Sequence, residues 1–349
     1  MGRTKSTGST AWSRRAWRRL AAALAGRRRA LVVTHDYPDP DALASGWALV
    51  QLLGRKLGIR ARLVYGGSIE RPENLAMVRL LKVPAHELAA RDLRGRPAIV
   101  TVDTSPGSGN NSLGDSDLVV AALDSHQGVP TAPGCVRLGL ACTATSTLAA
   151  WLCRAARLEP SRALATALFY GIKTDTQALR REATAADEAA YRRLFPLTDQ
   201  RLLAEIEAPP LPQRAYASLF RALADARTHG NAIVASMGRL ESRDGPAEAA
   251  DFLARLDRAR YALAHGFWKG AEIFSVRTWR SGSAAWRLAR AAAGGEGPAG
   301  GHDTFAGGAV PAGSPAAGER AGRRIERRFL RSTRAELRAG RKLIPARKG

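Results

Sequence analysis

The run Thr34-His35-Asp36-Tyr37-Pro38-Asp39-Pro40-Asp41-Ala42-Leu43-Ala44-Ser45 constrains this chain more than any other stretch. It lies between an apolar run, Ala30 to Val33, and an amphipathic one, Ala42 to Leu57. The prolines at 38 and 40 push Tyr37 and Asp39 towards extended backbone, because a residue before proline is disfavoured in the helical region. Residues two apart on extended chain share a face, so Asp39 and Asp41 are expected to point the same way. A rigid strand-to-helix turn carrying one imidazole and these carboxylates suits a metal site, and metal sites imply chemistry.

Beyond that turn, apolar strands and helices alternate. Strands are expected at Arg29–His35, Ile59–Tyr65, Ala98–Asp103, Leu118–Asp124 and Cys135–Leu138, and helices at Asp41–Leu57, Pro72–Leu81, Thr145–Ala156 and Ser161–Thr174. The alternation predicts an α/β fold built on a mostly parallel sheet, with helices on both faces. Such sheets take ligands outside the carboxyl ends of their strands, where His35, Asp103 and Asp124 fall. Residues 1–28 read as a basic segment with a short helix (Trp12, Trp17, Leu20, Leu24), and 29–197 as the first domain. A helical linker is expected over 198–229, broken by Pro209-Pro210-Leu211-Pro212, and a smaller α/β domain over 230–313. The tail, 314–349, reads as a loosely attached basic helix.

The acids at these strand ends and loop starts are Asp39, Asp41, Asp103 in Val102-Asp103-Thr104, and Asp175 in Gly171-Ile172-Lys173-Thr174-Asp175-Thr176. If they converge, like charges raise one another's pKa values and destabilise the site unless cations compensate. Two divalent ions would balance four carboxylates.

Taken in order, these motifs, with Asp124-Ser125-His126 between the last two, resemble the DHH phosphoesterase superfamily. Downstream, Ser275-Val276-Arg277 and Gly300-Gly301-His302-Asp303-Thr304-Phe305-Ala306-Gly307-Gly308 look like that superfamily's C-terminal substrate domain. The resemblance covers about residues 29–312 and is nearest to the bacterial nanoRNase and pAp-phosphatase type, relatives of RecJ exonucleases. It implies a two-metal phosphoesterase for short oligonucleotides or a nucleotide phosphate such as pAp. It implies that His35, Asp39 and Asp103 hold one manganese and that Asp41, Asp103 and Asp175 hold the other, with Asp103, His126 and Asp175 in the catalytic set. His126, Arg277, Gly300, Gly301 and His302 would contact substrate. One position departs from the pattern: Ser125 stands where the family has a ligand histidine. The second ion is then expected to be held more weakly and to drift towards magnesium, since oxygen ligands suit harder ions. The alternatives are a weakly active or non-catalytic nucleotide- or RNA-binding protein and a linear or cyclic dinucleotide phosphodiesterase.

Composition adds less. The net charge is +23, and residues 1–35 hold nine Lys/Arg and no acid, while 314–349 hold twelve Lys/Arg and three acids. Basic ends favour polyanions without specifying sequence. Three cysteines without C-x-x-C spacing indicate neither a zinc knuckle nor a disulfide framework. No run approaches the roughly 18 apolar residues of a membrane span. The expectation is a cytoplasmic protein without membrane contact, its oligomeric state (monomer or homodimer) open. His86 and His229 read as surface or capping residues and His265 as structural. The loop Pro106–Leu113 reads equally as a phosphate contact or a solvated connection.

Overall fold

Trp12, Ala16, Leu20 and Leu24 recur every four residues, and the chain accordingly opens with a helix, α1 (Thr7–Ala23). In the computed structural model, residues 7–114, 117–126, 133–180, 182–279, 284–301, 303–335 and 340–345 are described. They fall into two compact units, Met1–Pro209 and Pro210–Gly349. After α1 the first unit continues through β1 (Arg29–Thr34), α2 (Pro40–Leu57), β2 (Arg60–Tyr65), α3 (Pro72–Leu81), β3 (Ala85–Glu87), β4 (Ala98–Val102), β5 (Val119–Leu123) and β6 (Val136–Leu138). It closes with α4 (Thr145–Ala155), α5 (Arg162–Asp175), α6 (Ala185–Leu194) and α7 (Gln200–Glu207).

The six strands lie in the order β3-β2-β1-β4-β5-β6, every neighbour pair parallel. β1 connects outward to β2 on one side, while β4 lies on its other side and leads away to β5. A crevice therefore opens at the carboxyl ends of β1 and β4, where such sheets bind ligands. Strand alternation sends Val32, Leu63, Val100, Val102 and Leu123 into the main core with Leu43, Leu49 and Leu148 of the helices. The opposite face differs from expectation. Leu31, Val33, Val64 and Ile99 form a smaller cluster covered by Leu88, Leu93 and Leu113 from turns and loops, not by an α-helix. The connection from β3 to β4 spans only residues 88–97 and carries turns.

The second unit runs α8 (Gln213–Asp225), β7 (Arg227–His229), β8 (Ala232–Arg239), α9 (Gly245–Leu253), β9 (Tyr261–Trp268), β10 (Ala271–Thr278), α10 (Ala285–Ala293), β11 (Ala299–Gly301), β12 (Phe305–Pro311), α11 (Pro315–Ser332) and β13 (Arg341–Lys342). Its seven strands lie in the order β11-β12-β10-β9-β8-β7-β13. Only β8 and β9 pair in parallel; the other pairs are antiparallel. Helices cover both faces here: Val234, Leu263 and Phe274 meet Leu288, Ala289, Ile325 and Phe329, while Ile233, Ala235 and Ala262 meet Ala222, Ala250 and Leu253.

Three segments are more integrated than the sequence suggests. α1 is not a separate basic extension, since Ala16, Leu20 and Leu24 are buried in the first unit's core. The expected linker over 198–229 divides between the units, α7 burying Leu203 and Ile206 in the first and α8 burying Ala222 in the second. The terminal helix is not loosely attached: Ile325 and Phe329 of α11 have no exposed surface. In each case an apolar stripe lay hidden among arginines.

α11 is also held by ionised groups. His265 of β9 is buried, with Nδ1 2.6 Å from Glu272 Oε1 of β10 and Nε2 2.9 Å from Glu326 Oε1 of α11. Burial pulls the imidazole's pKa down, but the two carboxylates outweigh it and push it up to about 9. A histidine raised above its unfolded value of about 6.5 stabilises the fold fully below that value and loses the contribution as pH rises through the folded pKa. The unfolding free energy of the second unit is therefore predicted to fall between about pH 6.5 and 9. Denaturant titrations across that window should show the decline in the native protein and a flatter profile in His265→Gln. Identical profiles would contradict it.

Candidate metal centre

The His35 turn is fixed from both sides. The Asp36 amide donates to Asn110 O (2.7 Å) and the Tyr37 amide to Gly66 O (2.9 Å), while Ser112 Oγ donates to Asp36 Oδ1 (2.8 Å). Tyr37 is not in the expected extended conformation: its φ is 56°, and the Gly66 bond accompanies the sharper turn. His35 Nδ1 lies 2.9 Å from Asp36 O. A carbonyl only accepts, so Nδ1 carries the proton and the Nε2 lone pair is left for a ligand. Nε2 lies 3.8 Å from Asp39 Oδ1 and 3.5 Å from Asp103 Oδ2. The three residues form a group able to hold a metal ion. Burial pulls the His35 pKa down, but Asp103 and Asp39 outweigh it and hold it well above the ordinary value. Asp39 caps α2 by accepting from the Ala42 amide (2.9 Å). Its desolvation opposes ionisation, yet His35 and that amide hold it down at about 2.

Asp103, just beyond β4, has a φ of 56°. Aspartate tolerates this left-handed conformation better than most residues, and strained backbone of this kind clusters at functional sites. Asp103 also belongs to a second group able to hold an ion, with Asp124 and His126. The Asp124 carboxylate is buried and accepts from Ser105 Oγ (2.7 Å), the His126 amide (3.0 Å) and His126 Nδ1 (2.9 Å). That bond to Asp124 is the main force pushing the His126 imidazole up to about 9. Burial opposes ionisation of Asp124, but His126 and Ser105 hold its pKa below the usual carboxylate value.

Asp41 and Asp175 fall outside both groups. Asp41 is already helical, so strand alternation does not apply, and it faces α4 where Asp39 faces His35. Its Oδ2 accepts from the Thr145 amide (2.6 Å) and its Oδ1 from the Ser146 amide (2.7 Å). Burial, then the charges of Asp103 and Asp39, raise its pKa well above normal despite these amides. Gly171 of α5 makes this approach feasible: a Cβ there would collide with Ser146 Oγ and lie 3.0 Å from Asp41 Cα. Asp175 ends α5. Its charge acts with those of Asp187, Asp41 and Asp103 on the Cys142 thiol, whose pKa is raised chiefly by burial.

No protein-family model matches the chain. It is 32% identical over 286 residues to an uncharacterized protein of Methanocaldococcus jannaschii, a match over 81% of this chain and 58% of that one. The chain thus spans little more than half the length of that relative. An exopolyphosphatase-related protein from Bacteroides fragilis superposes with a TM-score of 0.71 at 13% identity, covering 92% of this chain and 97% of its own. RecJ from Thermus thermophilus, crystallised with Mn2+, superposes with a TM-score of 0.50 at 19% identity, covering 92% of this chain and 55% of its own. The chain shares its fold with these two solved structures.

The triplet that departs from the pattern expected from sequence reads Asp124-Ser125-His126, and Ser125 is turned into the protein. Its Oγ donates to Thr143 O (3.0 Å), and its amide to Thr145 Oγ1 (3.2 Å). Thr145 Oγ1 in turn donates to Asp103 Oδ1 (2.7 Å). In the second unit, the Arg277 guanidinium already pairs with Asp251, through Nε to Oδ1 and through Nη2 to Oδ2 (3.1 Å). Gly301 has a φ of 144°, and a Cβ there would lie 2.5 Å from Ala306 Cα; strand pairing with β12 is enough to require glycine. Gly300 is exposed with open space beside it. His302 lies outside the described residues. His86 is exposed on β3, while His229 is buried at the end of β7. No helix among the described residues is long and apolar enough to cross a membrane.

Sequence reading missed what supports the centre. Asp187 is fully buried and accepts from the amides of Thr143 (3.0 Å), Ala144 (3.4 Å) and Thr184 (2.9 Å) and from the hydroxyls of Thr147 (2.6 Å) and Thr184 (2.7 Å). It thereby holds the segment that presents Thr145 and Ser146 to Asp41 and Asp103. The signal was present, because Thr184-Ala185-Ala186-Asp187 has capping-box spacing and forms one. Asp187→Asn sets an amide donor among donors and is predicted to cost on the order of 3 kcal/mol. Thr184→Ala, losing chiefly a cap, should cost about 1 kcal/mol. Urea titrations compare them; a smaller loss for Asp187→Asn would contradict this role.

Proposed function

We propose that the chain is a divalent-metal-dependent phosphoesterase acting on short oligonucleotides or a nucleotide phosphate such as pAp. The carrying observation is Asp103, shared by the His35/Asp39 group and the Asp124/His126 group at the crevice between β1 and β4. The donor set fits a metal: His35 offers Nε2 because Nδ1 is committed to Asp36 O, and two carboxylates face it. We assign this position to manganese, with magnesium as a substitute. A divalent ion held there would polarise a phosphoryl oxygen and supply hydroxide at neutral pH.

The protein's own groups supply the rest. His126, raised to about 9, is protonated at neutral pH and fixed through Nδ1 by Asp124. It would present Nε2–H to a phosphate oxygen or to the departing oxygen, as a general acid requires. Arg277 would exchange Asp251 for a substrate phosphate, which a guanidinium binds in the same bidentate way. Gly300 would leave room for substrate beside the backbone. A second ion at Asp41, Asp103 and Asp175 would be weak, because Asp41 already serves two amides and Ser125 offers no imidazole. That observation also favours a second reading, a nucleotide- or RNA-binding protein with little or no turnover.

The test is release of nucleoside monophosphate from an end-labelled dinucleotide, run with Mn2+, with Mg2+ and with EDTA. Product should appear only with metal, and His35→Ala should lower turnover by about 100-fold or more, an effect of roughly 3 kcal/mol on the barrier. Binding without product under every condition would favour the second reading.

A further inference from the structure

The sequence draws attention to charge at the N-terminal end, and the structure changes what that charge can do. Buried Ala16, Leu20 and Leu24 fasten α1 to the first unit. Trp12 Nε1 adds a hydrogen bond to Gly139 O (2.7 Å). Arg14, Arg15, Arg18 and Arg19 are exposed on the opposite face, and the arginines at 27–29 after the helix are exposed as well. Among the described residues none of these seven pairs with a carboxylate, and the first acid in the chain is Asp36.

Some arginines on other helices are paired. Arg192 pairs with Glu188, Arg201 with Glu205, Arg323 with Glu319, and Arg324 and Arg328 share Glu296. Those helices carry acids among their arginines, whereas α1 carries none. On α1 the cations are gathered without counter-charges on a helix that its core contacts hold in place.

The basic face also connects to the proposed centre within the first unit. Arg19 Nη1 donates to Arg137 O of β6 (3.3 Å). The Arg137 guanidinium, in turn, donates to the carbonyl oxygen of His126. Positive charge therefore runs from α1 through Arg137 to the residue that follows Ser125.

We infer that α1 and the arginines after it form a fixed track for the phosphodiester backbone of a single-stranded nucleic acid whose end lies at the His126 side of the centre. The direction of the track rests on the phosphoesterase reading; the binding does not. Arg14 and Arg18 are about 6 Å apart along the helix, a step that suits successive phosphates of an extended strand. A membrane surface fits poorly, because an interfacial helix must offer an apolar face to the bilayer and the apolar face of α1 is buried. The track would let strands longer than a dinucleotide bind while leaving the dinucleotide's own affinity unaltered.

The experiment measures binding of a fluorescent 15-nucleotide RNA by anisotropy, in EDTA, between about 50 and 200 mM salt. Each phosphate contact on a single strand contributes about −0.7 to the slope of log K against log salt. Replacing Arg14, Arg15, Arg18 and Arg19 together by Gln should flatten that slope by about 3 and weaken binding more than tenfold at the lowest salt. The same four positions changed to Lys should keep the slope, which separates lost charge from misfolding. Arg192→Gln with Arg201→Gln, which remove paired arginines, should leave both quantities unchanged. Dinucleotide affinity should be the same in all variants. A Gln variant that binds the 15-mer like the native chain would overturn the proposal, as would tighter binding to duplex of the same length or to phosphatidylserine vesicles. Because EDTA removes any metal-dependent turnover, failure of the hydrolase reading leaves this measurement intact.

Discussion

Mutual repulsion among buried carboxylates is the constraint on which the first unit depends. Asp41, Asp103 and Asp124 are almost wholly buried, and Asp39 stands beside them. Desolvation and like charge both oppose ionisation in such a cluster, so each acid needs its own compensation. Asp39 has His35 and a helix amide. Asp124 has His126 and Ser105. Asp41 receives two amides from the start of α4, where a helix also presents partial positive charge. Asp103 receives one hydroxyl bond, from Thr145, and faces His35 through Oδ2 and His126 through Oδ1. It is the one member shared by both candidate ligand groups.

The rest of the unit can be understood as support for that arrangement. The order of strands sets β1 beside β4, so the turns that leave them meet at one edge. Gly171 lets α5 pass within contact of Asp41 and Ser146. Asp187, itself buried, fixes the start of α4 from a distance through five donors. Polar groups this far from water are favourable only when every one is satisfied, and here the network rigidifies the segment that holds two of the acids. Where a ligand imidazole is expected, Ser125 and Thr145 fill the position with hydrogen bonds to the protein itself.

Much of this was legible in the chain. The alternation of apolar runs located β1, β2, β4, β5 and β6 within a residue or two, because buried parallel strands and amphipathic helices leave different periods. The strand ends carrying His35, Asp103 and Asp124 were readable for the same reason. The short strands β3, β7, β11 and β13 were not, since two or three residues hold no period. The uncovered sheet face was not legible either: Leu88 and Leu93 look alike in a helix and in a turn. The integration of α1 and α11 was hidden by composition, as arginine-rich helices read as solvated until the spacing of Leu20 and Leu24, or Ile325 and Phe329, is weighed against their charge. Within the centre, local spacing could name the acids but not which oxygen each presents. That depends on α4, more than 100 residues from Asp41 in sequence.

The central claim is that His35, Asp39 and Asp103 hold a divalent ion and that the second position is impaired by Ser125. Equilibrium titration with Mn2+, following free ion by its magnetic resonance signal, tests it without reference to substrate. The account predicts one tightly held ion per chain, its loss in Asp103→Asn, and a gain of second-ion affinity in Ser125→His. Unchanged Mn2+ binding in Asp103→Asn would contradict the account.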